Sequence, residues 1–299
     1  MTAPAGPAQG AAAGAGAGRG VLELLTLAAA YLEKKGVRSP RREADALLAH
    51  VLGCDRLHLY LRFEERPTSV EVDRFRGLML RRGEREPIQY LTGRVRFLDL
   101  DLACDRRALI PRPETEDLAQ LAVQVLGDAA GKACADIGTG TGCLALFLAA
   151  RGARVLATDS SGAALALAAE NAKALGLTDR VRFAQGPLFG PFGADERFDL
   201  IVSNPPYIAE GERAGLEPEL SRFEPESALF AGEQGLDVLL PLLDTASGHL
   251  APGGWLALEC GKGQPEPLLE RALASGRWGK ADTRRDSFGV GRFLVCQRP

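Results

Sequence analysis

Between residues 132 and 260 the chain changes character repeatedly, from a short apolar run to a helical stretch and back. Strand-like runs lie near 132–137, 154–158, 180–184, 198–203 and 254–260, with helices expected between them. Each run is short for a buried helix, and several are rich in Val, Leu and Ile. Parallel neighbours cannot be joined by a tight turn, so such a chain must cross the face of its own sheet each time. A parallel sheet wrapped by helices on both faces satisfies that requirement. Two further strand-like runs, near 277–283 and 291–297, are expected to close the sheet. The fold class is α/β. Ligands in such sheets bind at the carboxyl ends of strands, where strand order reverses.

The fourth run stops abruptly. Phe198-Asp199-Leu200-Ile201-Val202-Ser203 reads as a buried strand, and Asn204-Pro205-Pro206-Tyr207 follows it directly. Asn204 precedes a proline and is pushed towards an extended conformation, while Pro205 and Pro206 fix the backbone and offer no N–H. What remains at the tip is the Asn204 amide, the carbonyls around Pro205 and the Tyr207 ring. Such a cluster of acceptors beside an aromatic wall suits a planar NH2 group. The plain alternative is a turn, since Asn-Pro and Pro-Pro are common punctuation. The tip therefore takes its meaning from what lies upstream.

Upstream, the first run ends in Asp136-Ile137-Gly138-Thr139-Gly140-Thr141-Gly142 and leads into a helix over residues 143–150. Glycines let the backbone turn tightly, and a ligand can approach the N–H groups at the positive end of the helix. The second run ends at Asp159, about twenty residues further on, where a carboxylate can accept from both hydroxyls of a ribose. A helix cap before Ser160-Ser161 is the competing role for Asp159. A dinucleotide loop would read G-x-G-x-x-G, whereas here glycines occupy alternate positions after an acid. That spacing favours S-adenosylmethionine as co-substrate, held by Asp136, Gly138, Thr139, Gly140, Thr141, Gly142 and Asp159, with Asn204 beside it. Donor loop and tip together look like an amino-methyltransferase that alkylates an amide or aromatic NH2.

The front of the chain is different. Residues 1–20 are almost entirely Ala, Gly and Pro and are expected to form a disordered tail. From Val21 the pattern is helical, with Val21, Leu24, Leu25, Ala28 and Leu32 on one face. Ser39-Pro40 opens a second helix through Leu47, Leu48 and Val51, and Thr68-Ser69-Val70-Glu71 is a capping box for another. Residues 21–85 thus read as a small helical bundle without a catalytic constellation. Residues 86–109 read as a connector and β-hairpin, and 110–299 as the catalytic domain. Ile110-Pro111-Arg112-Pro113-Glu114-Thr115-Glu116 carries its prolines and acids where any helix start would carry them.

Composition narrows the partners. Residues 21–96 carry a net charge of +4 and residues 97–299 a net charge of −8. A nucleic-acid enzyme would ordinarily show a heavier basic surface, so no direct nucleic-acid contact is expected. No run of about eighteen apolar residues exists, so no membrane span is expected. Six scattered cysteines without a Cys-x-x-Cys pair, and only three histidines, argue against a zinc site and for a reduced, cytoplasmic compartment. A monomer without a metal is expected.

Several segments together resemble the N5-glutamine methyltransferases of peptide chain release factors. They are Glu86-Pro87-Ile88-Gln89-Tyr90-Leu91-Thr92-Gly93, the 110–116 segment, the 136–142 loop and the 204–207 tip. Phe223-Glu224-Pro225, Glu259-Cys260-Gly261 with Gln264, and Asp286, Gly289 and Arg292 add weaker matches. The resemblance implies a helical domain that docks a protein substrate, a connecting hairpin and a seven-stranded, Rossmann-like class I methyltransferase domain. The implied substrate is the glutamine of the Gly-Gly-Gln loop of release factors. Asn204, Pro205 and Tyr207 would be catalytic, and Pro206 would join them in holding the substrate.

Three positions depart from the family pattern. Pro187 stands where an Asp is usual, although Leu188 beside it can still pack on the adenine. Gln234 and Gly291 also replace acids. The competing substrates are a ribosomal-protein glutamine and the adenine N6 of DNA or RNA, which would call for a base-flipping module.

Overall fold

The structure is a computed structural model that describes residues 18–299, so most of the Ala/Gly-rich segment lies outside the described residues. The chain divides into two compact units, one ending at Thr92 and one over Gly93–Pro299.

The first unit contains α1 (Val21–Lys34), α2 (Pro40–Leu52), α3 (Arg56–Leu61), α4 (Ser69–Gly83) and α5 (Ile88–Thr92). Leu25, Leu32, Leu47, Leu48, Leu59 and Phe75 fill its core. Helix α4 opens on the expected capping box: the Thr68 hydroxyl accepts from the Glu71 N–H at 3.3 Å, and the Glu71 carboxylate accepts from the Thr68 N–H at 2.7 Å. Ser39 sits at the start of α2, but its side chain makes no capping bond, and Pro40 alone marks the first turn. The fully buried Asp45 carboxylate accepts from Arg41 Nε, Arg56 Nε and the Tyr60 hydroxyl at 2.9, 3.0 and 2.6 Å. A buried charge persists only with donors of this kind around it. Residues 88–92, in the segment read as a connector, form α5, and Leu91 joins the core of this unit.

The second unit begins with a hairpin, β1 (Arg94–Phe97) and β2 (Leu100–Ala103), antiparallel with Val95 opposite Leu102. It docks on its own unit: the Ala103 N–H donates to Asn171 Oδ1 at 2.7 Å, and Asn171 Nδ2 donates back to the Ala103 carbonyl at 3.1 Å. There follow α6 (Pro113–Leu126), β3 (Ala133–Ile137), α7 (Cys143–Ala150), β4 (Arg154–Asp159), α8 (Gly162–Ala174) and β5 (Val181–Gln185). Then come β6 (Phe198–Ser203), α9 (Pro218–Phe223), α10 (Leu239–Ala246), β7 (Leu250–Glu259), α11 (Pro265–Ala274), β8 (Lys280–Arg285) and β9 (Gly291–Gln297).

The seven strands lie in the order β5-β4-β3-β6-β7-β9-β8. The first five are parallel, and the last two are antiparallel to their neighbours. Strand order reverses between β3 and β6, which puts the ligand crevice at their carboxyl ends. The helix expected between β5 and β6 is missing. Gly186, Pro187, Gly190, Pro191 and Gly193 fill that interval, and helix propensity cannot overcome them. Among the described residues no helix is long and apolar enough to cross a membrane.

Because the Thr68 hydroxyl supplies the side-chain half of the box at the start of α4, Thr68→Ala should lower unfolding free energy by about 0.5–2 kcal/mol. Urea denaturation reads this directly, and an unchanged midpoint would mean the Thr68 hydroxyl contributes nothing.

Candidate active site

Adjacent strands bring the two sequence motifs together. Asp136 on β3 pairs with Val202 on β6, and the Ser203 hydroxyl donates to the Ile137 carbonyl at 2.6 Å, tying the two strand ends to each other. The 136–142 loop leaves β3 and the 204–207 tip leaves β6 on either side of one cavity of about 260 Å3. Gly138, Thr139, Gly140, Thr141, Asp159, Leu188, Asn204, Pro205 and Pro206 all line it. Asp136, Gly142 and Tyr207 do not; they stand behind its walls.

Asp136 is fully buried and works on the loop itself. Its Oδ2 accepts from the Thr139 hydroxyl at 2.6 Å and from the Ala145 N–H at 3.1 Å, which bends the loop back onto the first turn of α7. Burial pushes its carboxyl up to about 7, against the pull of those two donors. Gly138 and Gly140 have φ of 73° and 55°, in the region that glycine alone enters cheaply. A side chain on Gly138 would meet no protein atom within 4 Å, so that backbone faces open space.

Asp159 is not a helix cap. Ser161 caps α8, its hydroxyl accepting from the Ala164 N–H at 3.2 Å. The Asp159 carboxylate instead accepts from the Gly140 N–H at 3.0 Å and the Ser161 N–H at 2.8 Å. A carboxylate has about four acceptor sites, so one on each oxygen remains for a ligand.

At the tip, Asn204 Nδ2 donates to Thr115 Oγ1 at 2.9 Å. The Thr115 hydroxyl donates to Glu259 Oε2 at 2.9 Å, and the Tyr207 hydroxyl donates to Glu259 Oε1 at 3.2 Å. The Tyr207 ring is thus held as a brace behind the tip. Burial, and then the adjacent Glu259 charge, pushes its hydroxyl well above the usual phenol value. Behind Tyr207, Gln264 Nε2 donates to the Tyr207 carbonyl at 3.0 Å, and a side chain on Gly235 would collide with that carbonyl.

A second buried acid shapes the opposite wall. Glu224 accepts from the Ile110 N–H at 3.0 Å and pairs with Arg112, joining the loop before α6 to the segment after α9. Pro111 and Pro225, on the two joined segments, both line the cavity. Sequence reasoning passed over Thr115, Glu224 and Glu259 as site residues. Their bonds span 52 to 144 residues of chain, so no local spacing exposes them.

Comparison with known proteins places this arrangement. Residues 23–93 match the family described as the PrmC N-terminal domain, and residues 114–217 match the methyltransferase small domain. A release factor glutamine methyltransferase of Deinococcus radiodurans is 44% identical over 278 residues, covering 92% of this chain and 98% of its own. One of Geobacter sulfurreducens is 41% identical over 266 residues, covering 88% and 92%. The chain belongs to the release factor glutamine methyltransferase family.

It is accordingly an S-adenosylmethionine-dependent methyltransferase. Among solved structures, the hMettl16 catalytic domain in complex with a MAT2A 3′UTR hairpin superposes with a TM-score of 0.54 at 18% identity, over 76% of this chain and 81% of that one. A T. thermophilus rRNA methyltransferase, RsmC, in complex with AdoMet and guanosine, gives 0.52 at 22% identity, over 69% and 50%. At these identities the likeness is one of fold. The cavity fits the family's co-substrate. Its glycine loop leaves open space at Gly138, and Asp159 keeps spare acceptor sites.

Of the three departures from the family pattern, Gln234 and Gly291 do not line the cavity. Gln234 is exposed, and an acid at Gly291 would sit against Glu266. Pro187 does line the cavity, next to Leu188.

Asp136 and Glu259 are both pushed up to about 7 by burial. The folded state therefore holds protons that the unfolded chain has released, between the ordinary carboxylate range and about pH 7. Their stabilisation is complete below that window and is lost as pH rises through it. The unliganded enzyme should lose stability between about pH 4 and about pH 7, and Asp136→Asn should flatten part of that slope in denaturant titrations. An unchanged slope would show that Asp136 is ionised throughout.

Proposed function

We propose that the enzyme transfers the methyl group of S-adenosylmethionine to the side-chain nitrogen, N5, of the glutamine in the Gly-Gly-Gln segment of peptide chain release factors. The observation that carries this reading is the commitment of the Asn204 NH2 group to Thr115. It leaves the amide oxygen as the group Asn204 offers to the cavity it lines, beside the donor loop. The names of the relatives, which cover most of the chain, support release factors as the protein substrate. The helical unit would dock the body of that substrate.

The donor supplies an electrophilic methyl group on a sulfonium centre. Asp159 would hold the ribose hydroxyls, the 138–141 backbone would cradle the amino-acid end, and Leu188 would pack on the adenine. A glutamine amide nitrogen is a poor nucleophile, because its lone pair is delocalised into the carbonyl. Asn204 Oδ1 and the Pro205 carbonyl would each accept one of its N–H bonds. That pair of acceptors aims the nitrogen at the methyl group and stabilises the positive charge that develops on it. The alkylated amide nitrogen sheds a proton readily, so the site works without a strong base. Pro206 and Tyr207 keep the two acceptors rigid.

A methyl-transfer assay with labelled donor, run against purified release factors, ribosomal proteins and DNA, tests the reading. Label should appear on a release factor and map by mass spectrometry to its Gly-Gly-Gln glutamine. Label on a ribosomal protein would move the substrate, and label on DNA alone would overturn the proposal.

Two substitutions separate donor binding from chemistry. Asp159→Ala removes acceptors worth about 1.5–3 kcal/mol each, so donor affinity should fall at least about tenfold by calorimetry. Unaltered affinity would place the ribose elsewhere. Asn204→Ala should lower kcat by about 10²–10³ with donor affinity retained, the loss typical of one preorganised polar group. Single-turnover rates near wild type would remove Asn204 from the mechanism.

A further inference from the structure

We infer that Glu259, acting through the Thr115 hydroxyl, is a positioning residue that fixes which face of the Asn204 amide meets the substrate. This rests on the reading of Asn204 given above and adds the device that orients it. An asparagine amide can turn over by half a rotation, exchanging an oxygen acceptor for an NH2 donor with almost no change of shape. The wrong face would point N–H bonds at the substrate's own N–H bonds. Something must hold the right one.

The bonding around Thr115 does so by counting hydrogens. A threonine hydroxyl carries a single hydrogen. That hydrogen goes to Glu259 Oε2 at 2.9 Å, so Thr115 Oγ1 can only accept from Asn204, and Nδ2 at 2.9 Å is what it meets. Glu259 is fully buried, and its other oxygen accepts from the Tyr207 hydroxyl. An ionised carboxylate cannot donate, so both hydroxyls must point at it and the polarity runs one way from Glu259 to the cavity.

Protonation would undo that direction. A proton on Oε2 would be donated to Thr115, releasing the threonine hydrogen towards Asn204 and favouring the turned-over amide. The groups that face Glu259 are the Tyr207 hydroxyl on the tip, Glu114 on α6 and Arg292 on β9. The thiols of Cys143 on α7 and its neighbour Cys260 also feel its charge. Arg292 favours the ionised form and Glu114 opposes it, while burial pushes the carboxyl up to about 7. The orienting charge therefore titrates close to neutrality, and turnover should fall on the acid side.

Four variants test this in the full-length enzyme, with kcat, KM for release factor, and donor affinity measured across pH. Thr115→Val, which removes the hydroxyl at similar size, should lower kcat about tenfold with donor affinity unchanged, and Thr115→Ser should restore it. Glu259→Gln, which can present either polarity to Thr115, should lower kcat and abolish the acid limb that the wild type shows at or below about pH 7. Asn204→Ala is the reference. If Asn204→Ala is impaired while Thr115→Val and Glu259→Gln keep wild-type kcat and the acid limb, the positioning proposal is wrong and the reading of Asn204 stands. If Asn204→Ala also turns over at the wild-type rate, the reading of the tip itself fails. Thr115→Ser failing to rescue a folded Thr115→Val, as judged by melting temperature, would also count against the relay.

Discussion

Pairing of Asp136 with Val202 across β3 and β6 sets two otherwise unrelated loops on either side of one cavity. The reversal of strand order at that seam means that no helix crosses it, so the carboxyl ends of both strands are open to a ligand. Everything else in the site depends on this adjacency. In the proposed function the glycine loop would give the donor a backbone to lie against and the tip would give an acceptor pair, while the Ser203 bond to Ile137 ties the two strand ends together. If β3 and β6 were not neighbours, neither motif would have a partner.

Three buried acids then set the local geometry. Asp136 folds the glycine loop back on α7, Glu224 joins the two segments that carry Pro111 and Pro225, and Glu259 terminates the bonds that run through Thr115 and Tyr207. None of the three lines the cavity. Burial raises the proton affinity of each, a cost borne by the fold so that the surrounding loops have one arrangement. The three carboxyls lie one layer behind the side chains that line the cavity.

Much of this was legible in the sequence because it is local. The strand-like runs, the capping box at Thr68, the glycine loop and the Asn-Pro-Pro-Tyr stop each follow from a handful of neighbouring residues. The two 20-residue-scale spacings, from the loop to Asp159 and along the alternating runs, follow from the length of one strand–helix unit. What stayed hidden is what connects distant segments. Thr115 sits in a run whose prolines and acids suit any helix start, and nothing local links it to Asn204 or Glu259. The reading of Asp136 as a donor contact came from its place before the glycines. In the structure Asp136 is buried and its Oδ2 braces the loop through Thr139 and Ala145. The helix expected before β6 is absent because the glycines and prolines of residues 186–193 cannot sustain one.

In the proposed reaction the Asn204 tip grips the glutamine amide next to the donor methyl. Co-crystallisation with S-adenosylhomocysteine and a peptide containing Gly-Gly-Gln measures it most directly. The account predicts the glutamine side-chain nitrogen about 2.6–3.2 Å from both Asn204 Oδ1 and the Pro205 carbonyl oxygen, facing the sulfur. A glutamine bound elsewhere, or an Asn204 that presents its NH2 group to the peptide, would contradict it.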